Sequence, residues 1–180
     1  MPSAIAHTFV PLCLRAGLGG RLVSFRLSVL AALSGALPDI DVLAFSLHIP
    51  YGSQWGHRGA LHSLVAALAW TLLATTQSAR LKASRACVFA VILVSTASHT
   101  LLDAMTTGGK GVALLWPFTA ERFFFPFRPI LVSPIGRAFL SSRGLHVLGS
   151  EICWVGLPSL ALCLVLVATR LGLKHWARKA

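Results

Sequence analysis

Five apolar stretches mark the chain, at roughly 3–14, 22–38, 61–77, 86–104 and 152–171, separated by segments rich in basic residues, proline and glycine. The pattern predicts an all-α fold: a polytopic helical membrane protein with four to five apolar helices. A full crossing needs about 20 residues, and several of these stretches fall short. The first therefore reads as either a half-span or an interfacial helix. The last, ICWVGLPSLALCLVLVATRL, is the cleanest span. Between them, residues 105–151 do not read as a span. LLWPF and ERFFFPFRP place aromatic rings beside arginines, as expected at headgroup level. That region is predicted to be an interfacial loop with short helices, or a lid. No internal repeat divides the chain, which reads as a single domain over 1–180 with its C-terminal span at 152–171.

Charge orients the stretches. Ten of the 16 lysines and arginines (Arg15, Arg21, Arg26, Arg80, Lys82, Arg85, Arg170, Lys174, Arg178 and Lys179) mark alternate ends of the apolar runs. Placing these in the cytoplasm follows the positive-inside rule. The other six (Arg58, Lys110, Arg122, Arg128, Arg137 and Arg143) then face outward, five of them in the long connection. With five crossings and the N-terminus outside, His7, Asp39, Asp41, His57, His62, His99 and Asp103 all gather at the outer face. Four crossings, with the first stretch lying flat, keep all but His7 together.

Composition supports the membrane reading. The chain is 56% hydrophobic with mean hydropathy +0.76 and 12% charged residues, against roughly 25% in soluble domains. The net charge of +11 fits topology and anionic lipid headgroups rather than nucleic acid, since the basic residues fall in short groups between apolar runs. Cys13, Cys87, Cys153 and Cys163 are isolated in apolar stretches and read as small hydrophobes rather than a redox or zinc motif. The N-terminus has no basic region before its apolar stretch and reads as retained rather than cleaved.

Only five acidic residues occur, and three keep company with histidines. A carboxylate near lipid is costly without a partner, and a divalent metal would satisfy several carboxylates and imidazoles together. His99 and Asp103 have the i,i+4 spacing that puts both on one helix face, to share an ion or to hydrogen-bond each other. Pro38 ends an apolar helix, and Asp39 and Asp41 face one ion if the chain there is extended; otherwise they cap a helix or face water. His57 and His62 need a turn between them to share a ligand, which Gly59 permits. Arg58 beside them has the guanidinium geometry for phosphate. His7 alone is either packed or a ligand. His48, His146 and His175 have no ligand-spaced neighbour, and Glu121 and Glu151 are candidates only for acid–base work.

The series of an N-terminal histidine, LPDID, GHRGALHS and HTLLDAMTTGGKGVALLWPF resembles the YdjM-type family of bacterial inner-membrane, metal-dependent hydrolases. The resemblance covers roughly residues 5–120. More distantly, the H-x-x-x-D element is similar to zinc-dependent phospholipase C and P1-type nucleases, but their second and third such elements are absent. The resemblance implies metal ligation by His7, Asp39, His57 or His62, His99 and Asp103. It implies one or two ions, with zinc preferred over manganese or magnesium. The expected activity is hydrolysis of a phosphoester of a lipid or lipid-linked molecule at the outer face of the inner membrane. Asp39, Asp41 or His62 would act as base or orienting group, and Arg58, with Arg122 or Arg128, would meet the phosphate. The alternative is a non-enzymatic metal-binding or ion-conducting membrane protein.

Overall fold

The computed structural model describes residues 1–134 and 136–179. Its helices are α1 (Ala6–Leu18), α2 (Phe25–Ala36), α3 (Leu43–Ser46), α4 (Leu64–Thr75), α5 (Ser78–Leu81), α6 (Arg85–Ala104), α7 (Ser142–Glu151) and α8 (Leu157–Trp176). Tight 3-10 turns occupy Leu37–Val42, Ala60–His62 and Gly136–Leu140, and a π turn at Ile152–Gly156 fuses α7 to α8. Among the described residues β pairing is limited to two isolated bridges, Thr106 with Ile130 and Val112 with Phe123. The chain is all-helical, as its apolar pattern predicts.

Serine starts three of these helices. Ser24, Ser63 and Ser84 accept the amide protons of Leu27, Ala66 and Cys87 at 3.1, 3.0 and 3.2 Å. Each bond satisfies one of the four amides left unpaired at a helix start. Three runs are long and apolar enough to cross a bilayer: Phe25–Ser46, Arg85–Ala104 and Ser142–Trp176. The last begins well before residue 152, where hydropathy alone puts it. SRGLHVLGSE mixes polar with apolar residues, so its helix is invisible to an apolar-run reading, yet Val147 and Gly144 are buried. The predicted loop therefore loses its final turns to a helix.

Helix α6 packs against α1, α2 and α4, while α1 also packs against α2 and α8. The directions alternate. One end of the bundle is closed by Leu14, Leu27, Ala31, Ala74, Val88 and Ile92, close to the basic residues Arg15, Arg26, Arg80 and Arg85. The opposite end brings together the start of α1, the end of α2, the approach to α4 and the end of α6.

Close approach at that end depends on Gly35, because a Cβ there would lie 2.7 Å from the His7 carbonyl oxygen. Gly35→Ala is expected to cost about 1–3 kcal/mol through overpacking. The check is the thermal unfolding midpoint in detergent, and an unchanged midpoint would contradict the tight crossing. The turn before α1 is anchored as well. Glu151, 1% exposed, accepts from the Ser3 amide and, at 2.6 Å, from the Ser3 hydroxyl. Both of its oxygens are thus engaged in fixing the point from which α1 and His7 depart.

Candidate metal centre

Each of the bundle's converging ends delivers a titratable side chain. His7 comes from the first turn of α1, His99 and Asp103 from the last turns of α6, and Asp39 and Asp41 from the 3-10 turn after α2. His57, Arg58 and His62 come from the loop and short turn before α4. The chain at Asp39 and Asp41 is therefore a 3-10 turn and not extended, yet an oxygen of each carboxylate lies within 4.8 Å of the other, and both contact His62.

The tightest group is formed by Nε2 of His62, Nε2 of His99, and one carboxylate oxygen each from Asp39 and Asp103. His62 Nε2 lies 3.0 Å from His99 Nε2, 3.3 Å from Asp103 Oδ2 and 3.6 Å from Asp39 Oδ1. His99 Nε2 lies 3.5 Å from the same Asp39 oxygen, and the four ligand atoms all fall within 4.8 Å of one another. Ligand atoms bonded at about 2.0–2.1 Å to a tetrahedral zinc sit about 3.3 Å apart, so these spacings suit one ion. The Asp39 oxygens are buried and make no hydrogen bond, which is costly for an ionised group without a cation, whereas Asp103 Oδ2 has the Arg58 guanidinium 3.1 Å away.

The ring nitrogens are arranged for the same purpose. His99 Nδ1 lies 2.7 Å from the Gly35 carbonyl; a carbonyl only accepts, so Nδ1 carries the proton and Nε2 presents its lone pair. His62 Nδ1 faces Asp41 Oδ2 at 2.9 Å, which favours the same tautomer. Two imidazole lone pairs 3.0 Å apart repel unless a cation or a proton lies between them. Holding a histidine from behind in this way is the usual support for a metal ligand.

A second group of ligand atoms, from Asp39, Asp41, His57 and His62, is equally compact. Its members are already engaged with one another. Asp41 contacts His57 Nδ1 at 2.5 Å, accepts from the Arg58 amide at 3.0 Å and faces His62 Nδ1. Asp41 and His57 thus brace His62, which leaves the set of Asp39, His62, His99 and Asp103 as the better candidate for an ion.

His7 lies beside this set. Its ring stacks on His99 with centroids 3.7 Å apart, and Nε2 is 3.7 Å from Asp103 Oδ1. Both ring nitrogens are buried without a hydrogen-bond partner.

Arg58, expected to meet a phosphate, is turned inward. It adopts the left-handed φ of 62° and is fully buried. Its Nε sits 3.1 Å from Asp103 Oδ2, while Nη1 donates to Gly108 O at 2.9 Å and Nη2 to Thr106 Oγ1 at 3.0 Å. The guanidinium has no free edge. Gly109, at φ 94°, packs against it where a Cβ would lie 2.7 Å from Nη1. Arg122 is similarly occupied, donating to the carbonyls of His57, Tyr51 and Ser53 at 2.9–3.0 Å. Partial burial lowers the Arg122 pKa from its ordinary value, opposed by nearby Tyr51 and Asp41. Arg128 lies over the Phe124 ring at 4.9 Å. His48, His146, His175 and Glu121 join neither ligand group. Sequence reasoning missed Gly35 and Thr106, whose only local signal is their position beside LPDID and within DAMTTGG.

The whole-chain comparisons agree with this picture of a membrane protein. Residues 1–176 match the family described as YdjM inner membrane protein. The chain is 40% identical over 181 residues to inner membrane protein YbcI of Escherichia coli (strain K12), a match spanning 99% of this chain and 100% of that protein. No solved structure matches, so the distant likeness to phospholipase C and P1-type nucleases gains no support. The chain therefore belongs to the YdjM inner membrane protein family and is a multi-pass protein of the inner membrane.

Proposed function

We propose that the protein is a metal-dependent hydrolase that cleaves a phosphoester of a lipid or lipid-linked molecule at the outer face of the inner membrane. The observation that carries this reading is the convergence of an unpartnered Asp39 carboxylate and an Asp103 oxygen on His62 and His99 Nε2 at one end of the bundle. These four residues would hold the ion, for which a mixed imidazole and carboxylate set favours zinc. When bound, zinc would lower the pKa of a water molecule and polarise a phosphoryl oxygen. Asp41 keeps His62 oriented, His57 and the Arg58 amide keep Asp41 in place, and Arg58 holds Asp103. Asp39 would hold the ion through one oxygen, leaving the other, which makes no hydrogen bond, to accept a proton from an attacking water. The water oxygen bonds to phosphorus, the ester P–O bond breaks, and the leaving alkoxide takes the proton that Asp39 accepted from the water.

The apolar packing of Leu14, Leu27, Ala74 and Ile92 at the other end of the bundle argues against an ion conduit, which needs polar groups through the bilayer's depth. The test is phosphate release from a panel of phospholipids by the reconstituted protein. EDTA is expected to abolish turnover and zinc to restore it. Asp39→Asn is expected to lower turnover at least about 100-fold. Wild-type rates equal to those of the variant across the panel would defeat the hydrolase reading.

A further inference from the structure

Of the eight side chains gathered here, only Asp39 has appreciable exposure. Its side chain is 11% exposed, against 0–4% for His7, Asp41, His57, Arg58, His62, His99 and Asp103, and its two oxygens lie just beneath that surface. The surface it reaches is apolar. Asp39 forms the polar end of a groove of about 540 Å³ otherwise lined by Leu30, Leu33, Ala36, Leu37, Ile40 and Trp70. A second groove of about 390 Å³ shares Leu37, Ile40 and Trp70 and runs on past Leu61 and Leu73. Trp70 forms the common wall, fixed by donation from its Nε1 to Ser34 Oγ at 2.8 Å. Both volumes fall in the range of about 300–1,000 Å³ typical of small-molecule sites.

The polar side of the cluster is closed. Arg58, with the Gly108 carbonyl and the Thr106 hydroxyl it donates to, plugs it, Arg122 ties the loop at Tyr51, Ser53 and His57, and the Ala113 amide donates to Arg58 O at 3.0 Å. The apolar groove lies on the outward surface of α2, one of the three candidate spans, where Leu33 is 64% and Ile40 54% exposed. In a bilayer that surface faces acyl chains.

We infer that the metal centre is entered sideways from the lipid: the groove beside Trp70 holds the hydrocarbon chain of a lipid whose phosphomonoester head, with no bulky second substituent on the phosphate, reaches the ligand set past Asp39. This rests on the hydrolase reading above and adds the route and the chain-binding site. It commits to a membrane lipid over a free, water-soluble phosphoester, because the opening beside Asp39 is lined by hydrocarbon side chains.

The experiment uses the full chain in phosphatidylcholine vesicles with zinc. Phosphatidic acid and phosphatidylcholine, each with a diazirine at the chain end, are compared at equal low mole fraction. Adducts on Leu30–Ile40 and on the Trp70 peptide are counted relative to adducts on the outer surface of α8, which normalises for general lipid contact and for attraction of anionic lipid. Phosphatidic acid is expected to exceed phosphatidylcholine about tenfold at the groove, and Leu33→Trp, which fills the groove at an exposed position, is expected to bring the ratio to one while bound metal is unchanged. Equal labelling by the two lipids in metal-loaded wild type overturns the lateral groove and leaves the metal centre standing. So does a preference that survives Leu33→Trp. Protein that binds no metal in the same samples overturns the metal centre, and the groove proposal falls with it. In the activity assay, wild-type p-nitrophenyl phosphate turnover as fast as phospholipid turnover and untouched by Leu33→Trp, with phospholipid turnover equally untouched, also overturns the proposal.

Discussion

Protein purified with His99 and Asp103 both replaced by alanine is expected to retain less than about a hundredth of the wild-type affinity for zinc. The estimate is conservative. Loss of a single supporting group behind a ligand costs about 10–100-fold, and this variant removes two of the four converging ligand atoms. The measurement is elemental analysis of detergent-purified protein, followed by a zinc competition titration. Wild type is expected to hold close to one ion per chain, because the set of Asp39, His62, His99 and Asp103 contains a carboxylate with no hydrogen bond, while the set built on Asp41 and His57 is tied up in its own hydrogen bonds. Equal metal in wild type and variant would refute the site.

Asp39→Asn provides a cleaner companion. Neither Asp39 oxygen makes a hydrogen bond, so removing its charge breaks no bond of the metal-free fold. The metal-free variant is expected to be at least as stable as wild type, since it relieves a buried charge, while its zinc affinity falls. A variant that lost stability without zinc and bound zinc normally would show that Asp39 serves the fold instead.

Parts of this site are legible in the sequence because they depend on local geometry. The His99–Asp103 spacing fixes a shared helix face wherever the helix is placed, and α6 runs Arg85–Ala104 against an apolar stretch read at 86–104. The basic residues separate the ends of the bundle, and the His/Asp clusters meet at the end opposite to most of them. What is not legible depends on partners distant in sequence. The Asp39–Asp41 pair reads equally well as extended chain or turn, and only packing against His62 and His57 decides for the turn. Arg58 offers the same fork to a phosphate or a carboxylate, and Asp103, 45 residues later, claims it. The start of the last helix is hidden because α7 is polar enough to pass for loop. The groove at Asp39 is hidden because Trp70 belongs to a separate apolar stretch.

The inward turn of Arg58 leads to the second large effect. If Arg58 served a substrate phosphate, Arg58→Met would spare the fold and abolish turnover. Its burial against Asp103 requires a different result. Removing one partner of a buried ion pair costs about 3–5 kcal/mol, because the remaining charge is left without compensation. For a chain of this size that corresponds to a fall of roughly 6–20 °C in unfolding midpoint. Arg58→Lys keeps the charge but not the fork that reaches Gly108 and Thr106, and is expected to fall between wild type and Arg58→Met. The double variant Arg58→Met/Asp103→Asn removes both charges and is expected to be more stable than Arg58→Met alone, a coupling that independent sites would not show. Zinc sharpens the argument. A cation held by Asp103 supplies part of the compensation that Arg58 otherwise gives, so zinc is expected to raise the midpoint of Arg58→Met by more than it raises that of wild type. A midpoint unchanged by Arg58→Met, or no coupling to Asp103→Asn, would return Arg58 to the substrate and leave Asp103 to the ion alone.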